Sequence, residues 1–238
     1  MSKEITKTTG GELVNSGSSV RYGGRTDRDR VIPRANVLQE RREGVEPGEV
    51  VHSLTMEVLT NKLFIPLFSY KSYAKFSSDL KLEWSTLDVN DPRVMQGLKW
   101  GNSGDKIKDK PKITEFFNFV VVFEDSLDSP LVMSFKGSAL KDGRKLDAVC
   151  VHQSGLVSTP GIPLEMYGNK HRYQAVVKSD LFGKKTYWYP SYSLVKSKEE
   201  FNVSEEIQRK LSQVANNTAS AILLMQGNPE EILSGPEL

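Results

Sequence analysis

Cysteine is almost missing: Cys150 is the single one in 238 residues. One thiol excludes an internal disulfide framework and suits a reducing compartment. Histidine is nearly as scarce. His52, His152 and His171 are scattered, and with one cysteine they offer no zinc-ligand spacing. No apolar run approaches the roughly 20 residues of a membrane span, and the polar start has no signal-peptide core. A strong net charge is absent too, because 32 basic and 30 acidic residues leave a formal charge of +2. Any basic site must therefore be local. No P-loop or dinucleotide glycine pattern appears, and no histidine sits in a nucleophile or metal spacing. "DLK" (79–81) and "DGRK" (142–145) have the acid–lysine spacing of metal-dependent nucleases, but neither has a partner carboxylate in an identifiable motif. These absences set the expectation of an intracellular, soluble, non-catalytic protein with no cofactor, no metal and no membrane partner.

Composition is otherwise that of a globular protein, 38% hydrophobic and 26% charged, enough for one sizeable core. Residues 1–30 are rich in Gly, Ser, Thr and Arg and poor in large apolar side chains, so a disordered arm is expected there. A domain over 31–200 follows, then a helix over 201–224 and an acidic, leucine-spaced flexible tail over 225–238. Within the domain, "VIPRANVLQ" reads as extended. "GEVVHSLTMEVL" and "KLFIPLFSYKSYAKF" read as strands joined by a turn at Thr60-Asn61. Residues 77–114, broken by Pro, Gly, Asn and Asp, read as a long loop. "EFFNFVVVF" (115–123) is apolar on both faces, as a fully buried strand is, and "LVMSF" (131–135) returns beside it. Ser138 is placed to cap a helix that turns Ala139, Leu146, Val149 and Cys150 inward and Lys141, Arg144 and Lys145 outward. After a Gly/Pro-rich loop come "HRYQAVVKS" and "GKKTYWYPSYSLVKS", paired as a hairpin. Asn202 or Ser204 then caps the last helix.

The order strand, strand, strand, helix, strand, strand is that of an OB-fold, so the fold class expected is mainly β: an OB-like Greek-key barrel with an inserted helix. Such barrels bind through their central strands and the loops joining strands 1–2 and 4–5. Lysines gather in both loops. Residues 99–112 hold five lysines against two aspartates, among them Lys106, Lys108 and Lys110, and Lys184 and Lys185 sit in the second. Period-2 geometry puts Lys71, Tyr73 and Lys75 on one strand face and Phe64, Phe68, Tyr70 and Phe76 on the other. It likewise groups Lys185, Tyr187 and Tyr189 opposite Trp188, the better core candidate. An alternation of cation and ring suits a phosphate chain whose bases stack on the rings. Against it stands the plainer possibility of a solvated face with snorkelling side chains. Trp84 and Trp100 are read as anchors of the long loop, and Pro190, which cannot donate to a ladder, as the mark of an edge strand or of the strand's end.

Three blocks carry a resemblance: "VIPRANVLQ", "PGEVVHSLTMEVLTNKLFIPLFSYKSYAKF" and "PKITEFFNFVVVFEDSLDSPLVMSFKGSALKDGRKL". Spaced in this way they resemble a set of bacteriophage single-stranded DNA-binding proteins over about residues 31–195. Met56 stands where that set has a turn glycine, and the long loop lacks the cysteines some members carry. The resemblance implies single-stranded DNA binding without catalysis, in the host cytoplasm, and fixes no site residues. The expected partner is single-stranded DNA; docking of a phage replication or recombination protein on the acidic tail and a homo-oligomer are also open, although a frayed, solubilising end is the favoured reading of that tail. The competing class is a structural or adaptor protein of a phage replisome or virion that binds no nucleic acid.

Overall fold

The computed structural model describes residues 32–79, 81–102, 113–154, 164–168 and 170–225. The expected arm at 1–30, Lys106, Lys108 and Lys110, and the tail from residue 226 lie outside these. The strands are β1 (Arg34–Val37), β2 (Val50–His52), β3 (Leu63–Phe76), β4 (Leu82–Thr86), β5 (Ile113–Phe123), β6 (Leu131–Lys136), β7 (Leu164–Met166), β8 (Tyr173–Phe182) and β9 (Lys185–Leu194). The helices are α1 (Pro92–Asn102), α2 (Leu140–Ser154), α3 (Lys198–Phe201) and α4 (Glu205–Met225).

All nine strands form one sheet, in the order β2-β1-β6-β5-β3-β8-β9, with β4 and β7 also on β3. Taking β3, β5, β6, β8 and β9 as strands one to five, the neighbours run three-two-one-four-five, with α2 inserted between three and four. That is the OB-like order, and the sheet curls into a nearly closed barrel. The fold is mainly β, as expected.

Two apolar cores explain why β3 and β5 are hydrophobic on both faces. Phe64, Phe117, Phe119, Phe123, Met133, Phe135, Leu146 and Tyr173 fill the barrel. Ile65, Leu67, Phe68, Tyr70, Val120, Val122 and Val132 lie on the outside under Leu211, Ala215 and Ile222 of α4. A bulge between Pro66 and Phe68 shifts the phase of β3. Phe64 and Phe68, grouped together by simple alternation, consequently face different cores.

Several local expectations change. The segment 48–59 is not a strand paired with β3: only Val50–His52 is regular, and it pairs with β1. The Thr60-Asn61 turn ties elsewhere, since Thr60 Oγ1 accepts from Val50 N and Asn61 N donates to the Ala175 carbonyl. The stretch 77–114 carries β4, which ladders onto β3, and α1, whose Gly97 lies hard against Ile113. Ser138 sits inside a 3-10 turn, Gly137–Ala139, that feeds α2 rather than capping it. The glycine interrupting α2 has a packing reason, because a Cβ at Gly143 would stand 2.9 Å from the Cβ of Phe135. Ser204 caps α4, accepting from Ile207 N at 3.5 Å.

Among the described residues, the hydrogen bonds across the barrel seam at Trp188 come from one side chain. Trp188 turns its N–H and C=O outward from the β8–β9 ladder, and Pro190, two residues on, faces the same way with no N–H to give. A regular ladder cannot continue along that edge. Gln39, just after β1, substitutes for it: Nε2 donates to the Trp188 carbonyl at 2.7 Å, and Trp188 N donates to Oε1 at 3.1 Å. Pro190 does mark an edge, and the edge is the barrel seam.

Candidate nucleic-acid interface

The cation–ring face expected on β3 is changed by its neighbours. Tyr73 lies between Thr86 of β4 and Glu115 of β5 and keeps 3% of its surface. Burial and then Glu115 push its phenol above the usual tyrosine value, with Arg144 opposing. A ring enclosed by two strands offers no plate to a base, so Tyr73 is corrected from platform to core. Lys71 keeps its solvent contact but lies 3.6 Å from Glu115, and Lys75 is 2.5 Å from Glu83. Both lysines therefore already have carboxylate partners. Exposed pairs of this kind contribute only about 0–1 kcal/mol, so a phosphate can compete for either cation.

The β8–β9 hairpin delivers more of what was expected. Gly183, at φ 65°, opens a two-residue turn of the type that needs glycine at its first central position. Lys184 and Lys185 are exposed there, with no ion pair among the described residues. Tyr187 and Tyr189 are half-buried rather than free, and Tyr189 packs with Trp188 and Tyr192 against the barrel core. The root of the hairpin is fixed to α2. Asp142 accepts from Lys178 Nζ at 2.6 Å and from Ser191 Oγ at 2.7 Å. Burial works against that carboxylate, but Lys178 and Ser191 outweigh it and hold Asp142 below the usual range. Beside it on α2, Lys141, Arg144 and Lys145 are exposed.

The outer face of β5–β6 holds a site that alternation in the sequence did not reveal. A hydrogen-bonded row crosses it: Arg34 Nη1 donates to Ser134 Oγ at 3.4 Å, Ser134 Oγ to Asn118 Oδ1 at 2.7 Å, and Asn118 Nδ2 to Ser72 Oγ at 2.8 Å. Tyr70, opposite Asn118, has its phenol pushed up to about 12 by burial, with Arg34 opposing. Lys136, opposite Phe116, sets its ammonium 5.8 Å from that ring's centre. Desolvation first and the Arg34 cation second lower the Lys136 pKa, although the side chain keeps solvent contact. Two like charges held on one face raise the local positive potential, and no acid among the described residues is paired with Lys136. Phe116, Asn118 and Ser72 are buried, so this surface presents the Lys136 ammonium beside half-buried Arg34 and Ser134 rather than stacking rings.

A flat stack exists elsewhere. Trp84, read as an anchor of a loop, stands in β4 beside Lys75 with the Arg93 guanidinium 4.4 Å over its ring. The only sequence signal for this pair was a tryptophan nine residues before an arginine, which is no signal at all without α1.

Comparison with protein-family models, with curated proteins and with solved structures finds no match. The grounds for function are the barrel and its surface.

Proposed function

We propose that this chain is a non-catalytic single-stranded DNA-binding protein of the bacteriophage kind that its sequence blocks resemble, protecting DNA strands during replication or recombination. One observation carries the reading. In an OB-like barrel the second and third strands and the loop between the fourth and fifth are the ligand-binding positions. Here those positions hold Lys136 on β6 and Lys184 and Lys185 at the hairpin tip, exposed and without a carboxylate partner among the described residues. Phosphate neutralisation supplies most of the affinity in this account. Stacking falls to Tyr187, Tyr189 and Trp84, the half-exposed rings.

An oligo(dT) titration over a salt series tests it. Log affinity should fall with log salt at a slope of about −0.7 per phosphate neutralised. Lys184→Ala with Lys185→Ala should flatten that slope by about 1.4, and Lys136→Ala by about half as much. Absence of binding at low salt removes the proposal. A structural or adaptor role is the second reading, favoured by Leu181, which stands 78% exposed at the hairpin tip where a protein contact would cover it.

A further inference from the structure

The β8–β9 arm leaves one backbone edge unused. Ala175 turns its N–H and C=O away from β9, pairing with Lys62 O and Asn61 N. In a strand every second residue points the same way, so Val177, Ser179 and Leu181 present their backbone groups on that side. β3 reaches along β8 only to Gln174, and among the described residues nothing takes up these three positions. An open edge of this kind is a template for another strand.

Edges are commonly blunted by charge, which repels an identical edge. This one carries a charge of each sign, Lys178 and Asp180, on either side of Ser179. Turning a second copy through a two-fold axis at Ser179 sets Ser179 opposite its counterpart. Lys178 then meets Asp180 of the second copy, and Val177 meets Leu181 of the second copy, each contact occurring twice. The polarity also agrees. Val177, Ser179 and Leu181 become the hydrogen-bonded pairs, and the charges fall at the non-hydrogen-bonded positions, where side chains come closest. The adjacent registers that keep the hydrogen bonds centre on Lys178 or on Asp180, and each brings like charges face to face. Lys178 already holds Asp142 at 2.6 Å, but an ammonium has three donors and accommodates a second carboxylate.

We infer that β8 pairs antiparallel with β8 of a second copy of this chain, about a two-fold axis at Ser179, joining the two arms into one sheet. The contact is isologous, and it covers the Leu181 side chain that the monomer leaves in water. An edge pairing alone is at the small end of stable interfaces, so the dimer forms reversibly with concentration.

Sedimentation velocity of the full chain, without nucleic acid, tests this independently of the ligand. The mass should move from 26.7 kDa toward twice that value as concentration rises. Ser179→Pro removes an outward N–H without touching the β9 ladder and should weaken the dimer about tenfold or more. Asp180→Lys sets lysine against Lys178 and should weaken it by a similar factor of about ten. Ser179→Ala keeps the main chain and should match the parent. Should Ser179→Pro unfold the arm, Asp180→Lys decides alone. A chain that stays at 26.7 kDa up to hundreds of micromolar, or variants that dimerise as the parent does, overturns the pairing.

Discussion

Replacing Gln39 by alanine should loosen the barrel without touching its core. The side chain is exposed, yet it makes both hydrogen bonds that join the β1 side of the seam to Trp188, and a third from Nε2 to the Val37 carbonyl at 3.2 Å. A typical net hydrogen bond contributes about 0.5–1.5 kcal/mol. Water can reach this seam and replace part of what is lost, so the two Trp188 bonds together should be worth about 1–2 kcal/mol. For a chain of this size each kcal/mol moves the melting temperature by about 2–4 °C, which places Gln39→Ala about 2–8 °C below the parent. Gln39→Glu keeps an acceptor for Trp188 N but turns a carboxylate toward two carbonyls, and should melt no higher than the alanine variant. Thermal unfolding supplies the first readout and amide exchange at Trp188 the second. If Gln39→Ala melts with the parent and the Trp188 amide exchanges no faster, the seam is held by something else and this account of closure fails.

Acid should act through Asp142. Its carboxyl is held below the usual range, so its contribution is complete above the unfolded value, about 3.9, and is lost as pH falls through the lower folded value. Asp142→Asn should therefore be less stable at neutral pH and show a shallower loss below about pH 4; parallel stability curves for the two proteins would count against the link between α2 and the arm. Cys150 should be inert in the folded chain. It is buried, and desolvation pushes its thiol up to about 12 against an opposing hydrogen bond with Tyr173, with Asp147 adding to the rise. A thiol reagent at pH 8 should find no reactive group until denaturant is added and one afterwards, and a prompt native reaction would mean that α2 opens locally.

Strand order was readable because β5, β6, β8 and β9 carry their own punctuation. Ser-Pro before β6 and Gly183 between β8 and β9 mark turns whatever the tertiary setting. The apolar stripe of α4, Ile207, Leu211, Val214 and Ala215, was equally local, since a helix needs only its own period to declare a buried side. Alternation failed on β3 for two physical reasons. The bulge at Pro66–Phe68 moved the phase, and α4 covered the face that would otherwise meet water. On the side away from α4, Tyr73 is closed in between Thr86 of β4 and Glu115 of β5, so that side too has no solvent face to read there. β4 and α1 escaped notice because their stability comes from the rest of the molecule: β4 from the ladder along β3, α1 from the seat of Gly97 on Ile113.

The same distinction separates the two parts of the candidate site. Lys184 and Lys185 follow a turn glycine and were visible as a basic tip. Arg34, Ser72, Asn118 and Ser134 come from four strands and converge only through register, so no spacing within any one segment announces them. Their placement bears on mechanism. A buried polar row is costly unless every member finds a partner, and here each hydrogen bond fixes the next, leading outward to Arg34. Arg34, held by that row on the same face as Lys136, loses little freedom when a phosphate arrives, whereas the lysines of the tip must be ordered on binding. Lys136→Ala should therefore cost more affinity per charge removed than either tip lysine, even though all three change the salt slope alike. Measured affinities that fall equally for each lysine would mean that the row on β5–β6 holds the sheet together and does nothing for the ligand.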